Sequence, residues 1–148
     1  MRHSELAEKN CAVARTWAVI GERWTMMILR EVFRGARRFE EIELKLQLGR
    51  NTLAERLQAL TEEGILERRP YQQGPVRYEY VLTQKGEDLY PVLLAVLRWG
   101  NKHMVDEPPL QLLHRTCGHL VDPVTVCRDC RAEIHRKELS AYFAPDAW

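Results

Sequence analysis

The stretch LLHRTCGHLVDPVTVCRDCRAE, residues 112–133, carries the side chains best suited to chemistry. His114-x2-Cys117-Gly118 leads to Cys127-x2-Cys130, with nine residues lying between Cys117 and Cys127. Paired ligands two residues apart, with a hairpin between the pairs, are the arrangement of a zinc ribbon. Three thiolates and one imidazole complete a tetrahedral set. Because such a set leaves no coordination position open, the ion expected is a structural Zn²⁺ and not a catalytic one. Gly118 fits, since a metal-binding turn bends sharply just after its second ligand. His119 is close enough to Cys117 to replace His114 as the fourth ligand. The plainer alternative is a hairpin carrying three free thiols.

The remaining cysteine, Cys11, stands at the start of an apolar helical stretch. A helix N-terminus lowers a thiol pKa and makes the sulfur reactive, so Cys11 is a redox-sensing candidate. Lys9 is the only basic residue adjoining it, which favours the other reading, a small side chain without chemistry. No nucleotide-binding loop, supported Ser/His/Asp arrangement or open metal site is legible, so the chain is not expected to be an enzyme.

GRNTLAERLQALTEEGILERR, residues 49–69, poses a different question. Leu53, Leu57 and Leu60 mark the inward face of a helix running roughly from 50 to 63, and Gly64 is placed to stop it. Steps of about 100° per residue put Asn51, Glu55, Gln58 and Glu62 on the opposite face, with Thr52 and Arg56 on the flanks. Asn can bond adenine bidentately and Thr can offer a hydroxyl or methyl to a base edge. Arg50 and Arg56 suit phosphate or a guanine edge.

The elements that would position this helix follow from periodicity. Trp17, Ile20, Trp24, Met27, Ile28 and Val32 recur at steps of three and four, with Gly21 marking a junction between two helices. Phe39, Ile42 and Leu46 form a short helical stripe, and 47–49 is the turn before the quoted helix: a helix-turn-helix candidate. ILERRPYQQGPVRYEYVLT then reads as two strands around a Gln-Gln-Gly-Pro turn. Thr83 is an N-cap candidate for an apolar-rich helix continuing to about His103. The fold expected is mainly α with a small β-hairpin wing, a winged helix-turn-helix, followed by a short C-terminal zinc-ribbon-like hairpin. DEPP at 106–109 breaks any helix, so the domains expected are 1–105 for DNA binding and dimerisation and 106–148 for the Cys/His extension.

At this level of detail the sequence resembles the HxlR-type bacterial winged-helix transcriptional regulators. The resemblance rests on Cys11, IGERWTMMIL (20–29), RRFEEI (37–42), the spaced leucines with EEGIL (62–66), RYEYVLTQKG (77–86) and LRWG (97–100), in order over about residues 10–104. Two positions depart from the family pattern: Ala12 stands where Pro commonly follows the cysteine, and Gly49 where Ser often caps the recognition helix. The resemblance implies a two-fold dimer built from terminal helices, and a Cys11 switch in some regulators of this kind. Within a winged helix the quoted helix reads double-stranded DNA with its N-terminal residues leading. The DNA-contacting candidates are Arg37, Arg38, Arg50, Asn51, Thr52, Glu55, Arg56, Arg69, Gln72, Gln73 and Arg77. Arg37 and Arg38 open the first helix of the pair, where amides and cations meet a phosphate. Arg68, Arg69, Gln72, Gln73 and Arg77 lie on the wing, suited to backbone or minor-groove contact.

Composition sets the frame. With 45% apolar and 29% charged residues, 148 residues suit one soluble domain and an appendage. The N-terminus is unlike a secretory signal, and no apolar run approaches the ~18 residues of a membrane span. A cytoplasmic protein without membrane association is expected. The net charge of +1 would not by itself point to nucleic acid. Trp17 and Ile20 near the start, and Leu89, Val92, Leu93, Val96, Leu97 and Trp99 near the end, give more apolar surface than a small domain needs, which suits a homodimer. The function expected is a sequence-specific operator-binding regulator, a dimeric repressor responding to an oxidant or small-molecule effector. Its rival is a winged-helix protein-interaction module without DNA binding.

Overall fold

A computed structural model describes residues 3–148. The chain opens with a one-turn helix that periodicity did not indicate, α1 (His3–Ala7). The long apolar stretch forms α2 (Ala12–Ile20) and α3 (Thr25–Phe33), and the junction falls at Gly21. A Cβ on Gly21 would collide with the Trp17 carbonyl and indole, so the close turn requires glycine. Trp24, just before α3, has φ 77°, a left-handed conformation rare for so bulky a residue.

Two further helices, α4 (Phe39–Leu46) and α5 (Arg50–Glu62), are joined by a turn in which Gln47 takes φ 49°. Gly64, at φ 66°, reverses the chain after α5. It leads into β1 (Leu66–Gln72), which pairs antiparallel with β2 (Arg77–Leu82) from Leu66↔Leu82 to Gln72↔Arg77. Tyr71 is the extra residue of a bulge between Pro70 and Gln72, which bends the wing near its tip.

The core lies between the helices and the base of this hairpin. Ile28, Leu29, Ile42, Leu53 and Leu57 are fully buried, joined by Leu60, Ile65 and Leu66 where α5 turns into the wing. The inward leucines of α5 are the ones its spacing marks. Glu31 is also buried, its side chain 2% exposed, and is matched by Arg30 at 2.6 Å, Arg34 at 3.2 Å and Lys45 of α4 at 3.8 Å. A buried carboxylate persists only with such partners.

The single helix expected from Thr83 to His103 is two: α6 (Gln84–Glu87) and α7 (Tyr90–His103). Pro91 is the reason. It has no N–H for the Glu87 carbonyl and its ring clashes there, but it is well accommodated in the first turn of a new helix. Thr83 does cap α6, its hydroxyl oxygen accepting from the Gly86 N–H at 3.2 Å.

Backbone proximity divides the chain into two compact units, Met1–Tyr90 with Pro145–Trp148, and Pro91–Ala144. The first holds the winged helix. The second holds the body of α7 and two small hairpins. One comprises β3 (Leu113–His114) and β4 (His119–Leu120), in register Leu113↔Leu120 and His114↔His119. The other is closed by a Val126↔Glu133 bridge and a Cys127 N–H to Ala132 carbonyl bond of 2.9 Å. Arg98 of α7 forks onto Asp122 at 2.5 and 3.3 Å. No helix among the described residues is long and apolar enough to cross a membrane.

Candidate nucleic-acid interface

The N-terminal turn of α5 is open. Gly49 starts the helix, and no side-chain cap bond closes that end. Asn51 and Glu55 are exposed and Thr52 is half-buried. Among the described residues no hydrogen bond or ion pair within the chain engages the Asn51 side chain. Its amide is therefore available at the end of the helix where a groove would be entered.

Around this turn the cations are held by neighbours. Arg50 bonds Glu43 of α4 at 2.7 Å and lies over the Phe39 ring at 4.8 Å. Arg38 lies over the Tyr71 ring of β1 at 4.4 Å, and Arg68 over Tyr78 at 4.0 Å. Arg37 comes within 4.0 Å of Glu79, and its carbonyl accepts the Tyr80 N–H at 2.7 Å, joining the start of α4 to β2. Arg69 is hydrogen-bonded to Glu67 beside it on β1. Gln72, Gln73 and Arg77 are exposed at the wing tip, and Arg77 has no intrachain ion pair among the described residues. Between α4 and the wing lies an open groove of about 300 Å³, lined by Phe39, Arg68, Tyr71, Arg77 and Tyr78 among others.

Two sequence expectations change. Arg56, expected on the flank as a DNA contact, is half-buried at 24% exposure and engaged within the chain, at 3.4 Å from Glu22 and 3.9 Å from Glu55. Glu22 lies in the connection before α3, which periodicity could not place beside α5. The amides of Arg37 and Arg38 are likewise not free for a phosphate. Both donate to the Glu41 carboxylate, at 3.0 and 3.2 Å. Those two bonds, Arg37 first, hold the Glu41 carboxyl below its ordinary pKa, with the nearby charges of Arg38 and Lys45 adding to the effect. The guanidinium groups of Arg37 and Arg38 remain exposed.

Spacing also concealed the brace behind the interface. Lys85 donates to the Glu63 carbonyl at 2.5 Å, and Thr83 donates to the Gly64 carbonyl at 2.6 Å. The TQKG segment therefore clamps the end of α5 to the base of the wing. This fixes the angle between the two elements that would touch a duplex.

The cysteines fall into separate places. Cys11 is the N-cap residue of α2, half-buried, with its side chain making no cap bond. In the tail, His114 Nδ1 lies 3.1 Å from Cys117 Sγ. The Cys130 and Asp129 amides, and then the Cys130 side chain, hydrogen-bond the Cys127 sulfur and hold its thiol below the ordinary value. Each candidate pair thus sits at the tip of its own hairpin, whereas the spacing suggested one hairpin between the pairs. Among the described residues no three His, Cys, Asp or Glu side chains already converge as a metal cluster.

A helix-turn-helix pair, an antiparallel wing and a set of braced arginines define a winged-helix transcriptional regulator. Comparison with known proteins narrows this. The HxlR-like helix-turn-helix family model matches residues 19–108. The HTH-type transcriptional regulator Rv3095 of Mycobacterium tuberculosis, itself uncharacterised, is 40% identical over 131 residues, covering 87% of this chain and 83% of that one. Among solved structures, PA1607, a candidate transcription factor, aligns with a TM-score of 0.85 at 34% identity over 93% of this chain and 98% of that chain. The redox regulator HypR in its reduced form aligns with a TM-score of 0.58 at 31% identity, covering 64% and 96%. The chain belongs to the HxlR-like helix-turn-helix family of transcriptional regulators.

Proposed function

We propose that this regulator is a cytoplasmic, homodimeric repressor that reads an operator with the N-terminal turn of α5 and is released by an oxidant or small-molecule signal. The observation carrying the DNA reading is the uncapped, exposed start of α5 with Asn51 unengaged, flanked by arginines held on aromatic rings. In this reading Asn51 and Thr52 meet base edges in the major groove. Arg37, Arg38 and Arg50 meet phosphates, and Arg69, Gln72, Gln73 and Arg77 meet the backbone or minor groove. Arg56 supports α5 from behind through Glu22.

A single winged helix reaches too few base pairs for genomic specificity, and a two-fold dimer doubles the site. Trp17 of α2 is 56% exposed and Trp99 of α7 59%, with Val92 and Val96 also exposed on α7. Large apolar side chains exposed on α2 and on α7 support association. The redox arm rests on Cys11 at the N-cap of α2 and on the likeness to a regulator known in reduced and oxidised forms.

The deciding experiment is fluorescence anisotropy with the DNA upstream of the protein's own gene, across a salt series. Specific binding should weaken steeply as salt rises, because each phosphate contact releases counterions. Salt-independent or absent binding to that DNA and to unrelated duplexes would refute it. Sedimentation of the parent and of Trp99→Asp tests the dimer, which the aspartate should dissociate.

A further inference from the structure

We propose that the two hairpin tips of the tail form one structural Zn²⁺ site, with His114, Cys117, Cys127 and Cys130 as its four ligands. The proposal is independent of the DNA reading. It begins with a repetition in the backbone. At the first tip the Gly118 N–H bonds the His114 carbonyl at 2.8 Å, and at the second the Arg131 N–H bonds the Cys127 carbonyl at 2.9 Å. In both, the residue after the second ligand is left-handed: Gly118 at φ 74° and Arg131 at φ 62°. Glycine adopts this freely, but arginine does so against its preference. Two unrelated tetrapeptides have taken one shape, the turn that presents two ligands to a metal.

The side chains agree with that shape. At the first tip His114 Nδ1 and Cys117 Sγ are 3.1 Å apart. Tetrahedral bonds of about 2.1 Å to nitrogen and 2.3 Å to sulfur put those atoms about 3.6 Å apart, so the pair needs to open by only a few tenths of an ångström. His119 faces the same side of the ribbon, but the nitrogen beside Cys117 belongs to His114.

What the tail lacks is a core. No residue from 91 to 144 is buried, and Leu113 and Leu120 of the first hairpin are largely exposed. Hairpins this small do not hold themselves together by apolar burial, and a metal crosslink is the usual substitute. Because the four side chains do not already converge, the ion itself draws the two tips onto each other, coupling binding to tail folding.

The test uses the full reduced chain. Elemental analysis should find about one Zn²⁺ per chain, and Co²⁺ substitution should give a tetrahedral d–d spectrum with charge-transfer intensity for three thiolates. Cys117→Ser and Cys130→Ser, one from each tip, should each weaken zinc by more than the roughly 10–100-fold that an outer-shell change costs. His114→Ala should do the same while His119→Ala stays near the parent. Chelation should expose the amides of 112–134 to hydrogen exchange and leave those of α3 to α5 protected. Because loss of a ligand also disorders the tail, the Co²⁺ spectrum of the unaltered chain serves as an independent count. Two thiolates, no stoichiometric metal, or binding indifferent to Cys117→Ser would overturn the proposal.

Discussion

Thr83 Oγ1 lies 2.6 Å from the Gly64 carbonyl, nineteen positions earlier in the chain, and ties the start of α6 to the end of α5. The same oxygen accepts the Gly86 N–H, and the Thr83 N–H bonds the Ile65 carbonyl at 3.1 Å. A Cβ on Gly86 would run into that Ile65 carbonyl, so the clamp needs both residues of the TQKG segment. Thr83→Ala should lower unfolding free energy by about 1–2 kcal/mol, the usual loss of a cap. Gly86→Ala should cost at least as much by forcing the backbones apart. Both should lower the urea midpoint without changing the slope, whereas Gln84→Ala, at an exposed neighbour, should change little.

Readout and attraction should separate by mutation. Asn51→Ala should relax base preference at one position of each half-site, by about 1–3 kcal/mol if the contact is bidentate. Arg77→Ala should weaken binding to all sequences and lower the log-log salt slope by about 1. Titrating operator and scrambled duplexes at two salt concentrations tests both. Parent-like behaviour in both variants would remove α5 and the wing from the interface.

Oxidation offers a third test. Mild diamide treatment should lower operator affinity in the parent and not in Cys11→Ser, provided zinc holds the tail thiols. Equal loss in the two proteins would assign the sensitivity to the tail instead.

Glu31 should matter to stability and not to DNA contact directly. Glu31→Gln keeps the shape but loses the charge that faces Arg30, Arg34 and Lys45. Because those cations stay partly in water, the expected cost is about 1–3 kcal/mol, less than for stranding a buried charge. Glu31→Leu removes the hydrogen bonds as well as the charge and should cost at least as much, because only one partner of the network is replaced. Chemical denaturation of the three proteins gives the comparison.

Acid should loosen the start of α4 through Glu41. Its folded pKa is depressed, so its stabilisation is complete above the unfolded value and is lost as pH falls through the folded one. The parent should therefore lose more stability than Glu41→Ala over the acid range, and the two curves should converge at low pH. Denaturant melts from neutral to acid pH check the sign. Parallel curves would show that the carboxylate does not cap α4.

The sequence by itself determined the helix-turn-helix, the wing and the inward leucines of α5. Those features are local: leucines at helical spacing, alternation around a Gly-Pro turn, and glycines where the chain must reverse. The same locality made the paired His and Cys side chains of the tail visible. Tertiary structure alone decided which cations stand free. Arg56 lies on the flank of a helical wheel, and its pairing with Glu22 from a connection distant in sequence could not be read from that wheel. The amides before α4 look available, yet Glu41 occupies them. The split of α6 from α7 was written in Pro91, but apolar periodicity runs through a proline without registering the missing hydrogen bond. Charge pairing and close backbone approach depend on which elements meet in space, and periodicity within one element carries no record of that.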